Sequence, residues 1–256
     1  MTLANALTQT GDTVKNICLT VQDSIVSSLN NFEKECSFIK DSWTRSANNG
    51  GGISAVIENG HVFEKAGVNI SAIRGTITTE KELSMFAQLF KQQNLKVDKI
   101  ADSNYFATGI SLVIHPINPY VPTVHMNYRY FEINTPDNTS LWWFGGGTDL
   151  TPYSIDIVAF KHFHTTLKTT CDQFDSNFYP LFKKKCDAYF YLPHRNEHRG
   201  IGGIFFDYLN KEPKDYYVNF LQTCADSFIP SYVPLIEKSY NQPFSEDDKQ
   251  WQAYRR

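Results

Sequence analysis

The sequence predicts an α+β fold, in which a large antiparallel β-sheet is flanked by layers of α-helices in a single domain spanning residues 1–256. Two observations predict it. Segments with strand-like alternation cluster in the middle of the chain, and segments with helical spacing lie before and after them, an order typical of α+β proteins. The chain also contains no Pro-, Ser- or Gly-rich linker, and 256 residues suffice for one sizeable core.

The first forty residues are predicted to hold a long amphipathic helix, because apolar residues recur there at steps of three and four. These residues are Val14, Ile17, Cys18, Val21, Ile25 and Leu29. The run SANNGGGIS at 46–54 interrupts the pattern. The segment 53–75 then alternates on either side of Asn59-Gly60, which is a strong signal for a hairpin.

The later elements follow from the same two periodicities. Helices are predicted at 79–94, from Asp156 to Phe174, after Tyr179-Pro180, at 217–240 and at 245–256, and strands at 109–116, 123–133, 141–146 and 200–209. Proline suits the first turn of a helix, since its missing N–H has no partner there in any case.

Composition narrows the class of function. The formal net charge is only -3, and acidic and basic residues are interspersed along the chain. This balance argues against a nucleic acid or a membrane surface as the partner. No segment approaches 18 consecutive apolar residues, so we expect no membrane span.

Cysteine usage and the first residues predict a cytoplasmic location. The five cysteines are scattered and never form a CxxC spacing, which is typical of reduced thiols and not of a disulfide framework or a zinc site. The first fifteen residues contain neither an apolar signal region nor an Arg-rich presequence.

The strand at 123–133 carries the most informative side chains, because successive residues of a strand point to opposite faces of the sheet. One face therefore carries Thr123, His125, Asn127 and Arg129, and the other carries Val124, Met126, Tyr128 and Tyr130. In the strand at 109–116, Ser111, Val113 and His115 share a face. These polar faces either look at solvent or line a pocket for an anionic, hydrogen-bonding ligand, and the choice of Ser, His, Asn and Arg favours the pocket.

Histidines are the next candidates. On the predicted helix from Asp156 to Phe174, His164 lies on the apolar stripe and faces inward, as either a hydrogen-bonded core residue or a ligand. His115, His125, His164 and His194 resemble no compact zinc signature such as HExxH, so spacing alone is weak evidence for a metal. A single neutral imidazole suffices for proton transfer.

The segment YLPHRNEHRGIGG concentrates Arg195 and Arg199 just before a glycine-rich strand. It is either a solvated basic loop or a clamp for carboxylates, which a guanidinium matches with two parallel hydrogen bonds.

The run WWFGGGTDLTPY at 142–153 is not a phosphate-binding loop, because it lacks the Lys-Ser/Thr of a P-loop and the GxGxxG spacing. A turn explains one or two glycines. Three glycines including Gly146 and Gly147, followed by Asp149, better suit a backbone that passes close to a planar ligand beside a carboxylate.

Four segments of the chain, which include the residues discussed above, together resemble the oxygen-dependent coproporphyrinogen III oxidases of haem biosynthesis: GHVFEKAGVNIS, SLVIHPINPYVPTVHMNYRYFE, WWFGGGTDLTPY and YPLFKKKCDAYFYLPHRNEHRGIGGIFFD. The resemblance runs from about Trp43 to the last residue. It implies an α+β homodimer that uses O2, and no organic cofactor, to convert two propionates of coproporphyrinogen III to vinyl groups. The products are protoporphyrinogen IX, CO2 and H2O2.

The resemblance also implies roles for particular residues. It gives a catalytic role to His125, the proton donor, and to Asp149 and Arg129. It implies substrate binding by Ser111, Asn127, Tyr128, Arg129, Gly146, Gly147, Arg195 and Arg199, and a divalent metal at His115, His125, His164 and His194.

Members of this family continue beyond the motif that ends here at Arg256, with a long strand at the dimer interface and a glycine-arginine substrate loop. The resemblance thus leaves alternatives to an active enzyme. These alternatives are a truncated fragment, a tetrapyrrole-binding protein without catalysis and, from another class, a histidine-ligated metal hydrolase.

Overall fold

The computed structural model describes residues 9–46, 49–92 and 100–256. The α+β class is confirmed. The described helices are α1 (Gln9–Asn30), α2 (Glu80–Gln92), α3 (Ile157–Asp172), α4 (Phe178–Tyr189), α5 (Lys214–Asp226), α6 (Phe228–Ser239) and α7 (Glu246–Arg255). The described strands are β1 (Ile39–Thr44), β2 (Gly50–Glu58), β3 (Phe63–Thr76), β4 (Asn104–Pro116), β5 (Thr123–Asn134), β6 (Ser140–Thr151), β7 (Tyr191–Leu192), β8 (Glu197–His198) and β9 (Gly202–Leu209).

Seven of the strands form one antiparallel sheet in the order β1-β2-β3-β4-β5-β6-β9. Neighbours in the sheet are mostly neighbours in sequence, joined by hairpins such as the one at Asn59-Gly60 that the sequence predicts. Strand β9 joins the edge beside β6 only after α3 and α4. The short strands β7 and β8 pair separately, within the segment that the sequence predicts as a loop.

The two faces of the sheet differ. Alternate residues of β4, β5 and β6 join a large apolar core with α1, α3, α4, α5 and α6 on one face. Helix α1 supplies Val14, Cys18, Val21, Ile25 and Leu29 to this core, which is the stripe predicted from the sequence. On the opposite face, α2 covers one end of the sheet through a second apolar cluster that includes Phe86, Phe90 and Trp143. We call the part of that face beyond α2, where the polar side chains lie, the open face; among the described residues, Tyr189, Phe190 and Arg199 reach over it.

Two parts of the fold differ from the prediction. The first helix ends at Asn30, and the exposed, mostly polar edge strand β1 follows it. The helix predicted at 217–240 is two helices separated at Ser227: Pro230, which has no N–H, falls in the first turn of α6, and Pro234 lies further inside that helix. Some predicted segments lie partly outside the described residues. They are residues 1–8, residues 47 and 48 of the glycine-rich run, and residues 93 and 94 of the helix predicted at 79–94.

Candidate active site

The polar side chains of the open face form rows that cross the strands, as the registers of β3 to β6 show. The first row pairs Val113 with His125 and His125 with Asp149, the second runs Asn69, Ser111, Asn127 and Gly147, and the third runs Gly109, Arg129 and Gly145. Alternation along each strand thus brings residues distant in sequence to one surface.

These rows line two adjoining pockets. The first has a volume of about 410 Å³ and contains His125, Asp149 and Arg199. The second has a volume of about 530 Å³ and contains Asp207 and Tyr208. Both share Asn69, Ser111, Asn127 and Arg129. The second row therefore lies where the two pockets meet.

A charged cluster occupies the floor of the first pocket. Asp149 is only 5% exposed, and its Oδ2 accepts a 2.6 Å hydrogen bond from Nη2 of Arg199. The same Nη2 lies 3.4 Å from Nδ1 of His125, and that Nδ1 lies 3.5 Å from Oδ2 of Asp149. An arginine can only donate. An unprotonated Nδ1 therefore accepts from Arg199, whereas a protonated Nδ1 donates to Asp149.

The end of α4 and the following residue hold Arg199 in place. The Arg199 guanidinium lies 3.8 Å from the ring centroid of Phe190, and the Arg199 backbone N–H donates to the Phe190 carbonyl oxygen at 3.0 Å. The neighbouring Tyr189 stacks on Phe205 at 4.4 Å between ring centroids. These three rings form an apolar wall of the pocket. The buried Nε of Arg199 has no hydrogen-bond partner among the described residues.

A second charged group lies between the two pockets. Arg129 donates from Nη1 to Oδ1 of Asn127 at 2.8 Å and from Nη2 to Oδ2 of Asp207 at 2.7 Å. Because the amide oxygen of Asn127 is engaged by Arg129, the amide NH2 group of Asn127 remains as a donor. Ser111 and Asn69 lie beside it in the same row.

The triple glycine lies in the middle of β6, so it is neither a turn nor a phosphate cradle. Its backbone is not left-handed, since the described glycines with positive φ are Gly50 and Gly202. A Cβ at Gly146 would lie 2.4 Å from Cδ1 of Tyr128 on the core side, and a Cβ at Gly147 would lie 2.4 Å from the carbonyl oxygen of Ile204. Close packing between strands thus requires glycine here even without a ligand.

His115 is near this cluster but neutral. Its Nδ1 lies 3.3 Å from the hydroxyl of Thr123, which is itself 2.7 Å from the hydroxyl of Tyr153. Burial, helped by the positive charge of Arg256 and by His125, lowers the pKa of His115 to about 4. The imidazole is therefore uncharged near pH 7.

The four histidines predicted as metal ligands do not fit one metal ion. His164 is half-buried, with Nε2 3.1 Å from the carbonyl oxygen of Ile201 and Nδ1 3.0 Å from the hydroxyl of Tyr179. Burial, with the nearby Lys183, lowers the pKa of His164. His194 is exposed in the β7–β8 turn. Across the described ranges, no group of three or more His, Cys, Asp or Glu residues could hold a metal.

Two predicted substrate-binding residues, Tyr128 and Arg195, line neither of the two pockets. Tyr128 is fully buried on the core side, where its hydroxyl bonds to that of Thr148 at 2.7 Å. The guanidinium of Arg195 lies over the ring of Tyr254 at 5.3 Å, beside Glu197. The structure brings together Ser111, His125, Asn127, Arg129, Gly146, Gly147, Asp149 and Arg199.

Sequence reasoning missed Asp207, Asn69 and the aromatic wall. The signal for Asp207 is a single carboxylate in the apolar strand β9, two positions from Phe205 and so on the same face. Asn69 pairs directly with Ser111, but only the register between β3 and β4 shows it.

An antiparallel sheet with helices on one face and, on the other, two adjoining pockets lined by guanidinium, carboxylate, amide and imidazole groups has the layout of a ligand-binding protein or an enzyme. The chain belongs to the coproporphyrinogen III oxidase family, whose model matches residues 13–256.

Curated relatives agree with this family. The chain is 49% identical over 226 residues to "Oxygen-dependent coproporphyrinogen-III oxidase" from Drosophila melanogaster, covering 88% of this chain and 56% of that protein. It is 45% identical to "Coproporphyrinogen-III oxidase 1, chloroplastic" from Arabidopsis thaliana (92% and 60% covered). It is 43% identical to "Oxygen-dependent coproporphyrinogen-III oxidase, mitochondrial" from Homo sapiens (94% and 52% covered). The chain thus spans a little over half the length of these relatives.

The relatives contradict the cytoplasmic location that the sequence predicts, because two of them are named chloroplastic and mitochondrial. The prediction is wrong because its physical basis is not specific. Scattered cysteines are typical of reduced thiols, and reduced thiols do not distinguish one compartment from another. Among the helices that the structure describes, none combines the length and apolar character needed to cross a membrane.

Proposed function

We propose that the protein is an oxygen-dependent coproporphyrinogen III oxidase, which converts two propionates of its substrate to vinyl groups. The observation that carries this proposal is the cluster of Arg199, Asp149 and His125 on the open face, next to Arg129 and Asn127. Membership of the family supports it.

The proposed reaction needs O2 as the co-substrate. At each propionate, the bond between the carboxyl carbon and the neighbouring methylene breaks, the other methylene, attached to the pyrrole, loses one hydrogen, and a vinyl group and CO2 form. O2 accepts the two electrons and, with two protons, becomes H2O2. The electron-rich pyrrole can react with O2 once it is deprotonated, so we propose that no organic cofactor takes part. No step is assigned to a divalent metal, because the four histidines do not fit one ion.

The arginines are proposed to bind propionates. Arg129 has five N–H donors, of which two bond to Asn127 and Asp207. The buried Nε–H of Arg199 lacks a partner among the described residues. A buried donor without an acceptor destabilises the protein, and a hydrogen bond to a ligand carboxylate would remove that penalty. The hydroxyl of Ser111 and the amide of Asn127 add neutral donors between the two arginines.

Asp149 and His125 are proposed to act at the ring. The buried carboxylate of Asp149, which pairs with Arg199, can accept hydrogen bonds from pyrrole N–H groups and so orient the macrocycle. When Nδ1 of His125 accepts from Arg199, the ring proton is on Nε2, and this arrangement supports the role of proton donor.

The decisive experiment uses the protein expressed from its full coding region. Coproporphyrinogen III is bound under anaerobic conditions, O2 is added, and protoporphyrinogen and CO2 are measured against the matched variant Asp172→Asn. Asp172 forms an exposed ion pair with Lys168 on α3, so its loss should leave turnover unchanged. O2-dependent formation of both products supports the proposal, whereas binding without product favours the non-catalytic tetrapyrrole-binding alternative.

We also propose that the protein is a homodimer, on the strength of the family resemblance. Light scattering after size-exclusion chromatography of the same preparation tests this, and a monomeric mass at the working concentration contradicts it.

A further inference from the structure

Strand β9 contains a β-bulge opposite the triple glycine. Phe144 pairs with Leu209 and Gly146 pairs with Phe206, so Asp207 and Tyr208 together oppose the single residue Gly145. A bulge of this kind redirects a side chain at the edge of a sheet, and such bulges are frequent beside active sites. Here it brings both Asp207 and Tyr208 to the wall of the second pocket.

The bulge carries backbone strain. Tyr208 has a φ of 58°, in the left-handed region that an aromatic residue rarely adopts. Strain of this type persists where the surroundings impose it, and it is common at functional sites. One group that imposes it is the side chain of Asp207, whose Oδ1 accepts a 3.0 Å hydrogen bond from the backbone N–H of Tyr208.

The other carboxylate oxygen of Asp207 points to Arg129. The distance from Oδ2 of Asp207 to Nη2 of Arg129 is 2.7 Å. Gly145 leaves the space for this pair, because a Cβ there would lie 2.3 Å from Oδ1 of Asp207 and 3.1 Å from Nε of Arg129. The bulge, the carboxylate and the glycine therefore fit together around one guanidinium.

We propose that Asp207 is a positioning residue for substrate binding: together with Asn127 it fixes the guanidinium of Arg129 so that the remaining N–H groups meet a substrate carboxylate. This inference rests on the proposed function and names a further residue of that site. The physical reason is that a long arginine side chain loses rotational freedom on binding, and a guanidinium already held at two nitrogens loses less.

The proposal makes Asp207 act only through Arg129. The test variant is Asp207→Asn, which keeps the size of the side chain and an acceptor for the Tyr208 N–H but removes the negative charge. We expect the KM for coproporphyrinogen III to rise by about 10-fold, with a smaller change in kcat, as for the loss of a charged hydrogen bond. In an Arg129→Ala background, Asp207→Asn should have no further effect on KM.

A second ligand separates this proposal from the proposed function. Coproporphyrin III carries the same four propionates but is already oxidised, so its binding, followed by fluorescence, needs no turnover. Asp207→Asn should weaken its binding by about the same factor as it raises KM. If binding depends on Asp207 in this way but no protoporphyrinogen forms, the proposed function fails and the positioning role stands.

Unchanged binding and unchanged KM in Asp207→Asn would overturn the positioning role, as would an equal effect in the Arg129→Ala background. Asp172→Asn serves as the matched control, since it also removes a carboxylate from an ion pair. If Asp207→Asn does not fold, as judged by circular dichroism, Asp207→Glu replaces it. The added methylene displaces Arg129 from Asn127, so KM should rise, and an unchanged KM would again overturn the role.

Discussion

The guanidinium of Arg199 pairs with the carboxylate of Asp149 across 50 residues of sequence, with 2.6 Å between Nη2 and Oδ2. Asp149 is almost fully buried in β6, whereas Arg199 reaches it from the segment before β9. The pair therefore ties the segment between α4 and β9 to β6, and it places one positive and one negative group at the floor of the same pocket.

Arg199→Met should destabilise the protein, because it leaves the carboxylate of Asp149 buried without a cation. We expect the free energy of unfolding in urea to fall by about 1–3 kcal/mol, less than for a fully buried pair since water reaches Arg199. The control is Lys238→Met, which breaks an exposed pair with Asp156 and should cost about 0–1 kcal/mol. Equal losses in the two variants would contradict the structural role of the Arg199 pair.

Asp149→Asn should reduce turnover more than stability. The amide preserves the shape of the side chain in β6, and the partly exposed Arg199 can be hydrated, so we expect a stability loss on the order of 1 kcal/mol. The loss of negative charge facing the pyrrole nitrogens should lower kcat on the order of 10- to 100-fold. Urea unfolding and oxygen-dependent turnover are measured on the same preparation, and an unchanged kcat would show that Asp149 plays no part in turnover.

Much of the fold could be predicted because its signals are local. Alternation in β5 assigned Arg129 and Tyr128 to opposite faces, and the structure places them so. The edge strand β1 could not be predicted, since the segment IKDSWT is largely exposed and has no apolar alternation. The break at Ser227 was also missed, because the apolar spacing continues from α5 into α6 and hides it.

The candidate site was predictable only in part, for a related reason. Alternation places His125 and Asn127 on one face, but it does not show which residues from other strands lie beside them. The contact between Asp207 and Arg129 depends on the order of β6 and β9 in the sheet and on a one-residue bulge. Neither leaves a signal within a short window of sequence.

The glycines of β6 give a third prediction. In Gly147→Ala, the new Cβ would meet a backbone oxygen 2.4 Å away, so β6 and β9 must move apart and stability should fall by about 1–3 kcal/mol. In Gly145→Ala, the Cβ instead meets the side chains of Asp207 and Arg129, which can move. We therefore expect a smaller loss of stability but weaker substrate binding. Thermal unfolding and KM measurements distinguish the two, and the reverse order would contradict the structure.

Glu132 and Lys214 give the last prediction, on the core side of the sheet. Glu132 is 1% exposed, and its Oε2 lies 2.9 Å from Nζ of Lys214. Burial alone would raise the pKa of Glu132, but hydrogen bonds from Tyr130 and Asn134 and the ammonium of Lys214 together lower it below 4.5. A carboxylate with a lowered pKa stabilises the folded state above about pH 4.5, and this contribution is lost as the pH falls through the folded pKa.

Lys214→Met should remove roughly 2–4 kcal/mol of stability at pH 7, because it leaves a buried carboxylate without its cation. Without the ammonium, burial raises the pKa of Glu132 above its unfolded value, so the folded variant takes up a proton more readily than the unfolded chain. The difference between wild type and Lys214→Met should therefore shrink as the pH falls from 7 towards 5. Urea unfolding at both pH values measures it, and Lys168→Met, which breaks an exposed pair, should show a small difference that does not depend on pH. A gap of equal size at pH 7 and pH 5 would show that Glu132 does not depend on Lys214 for its charge.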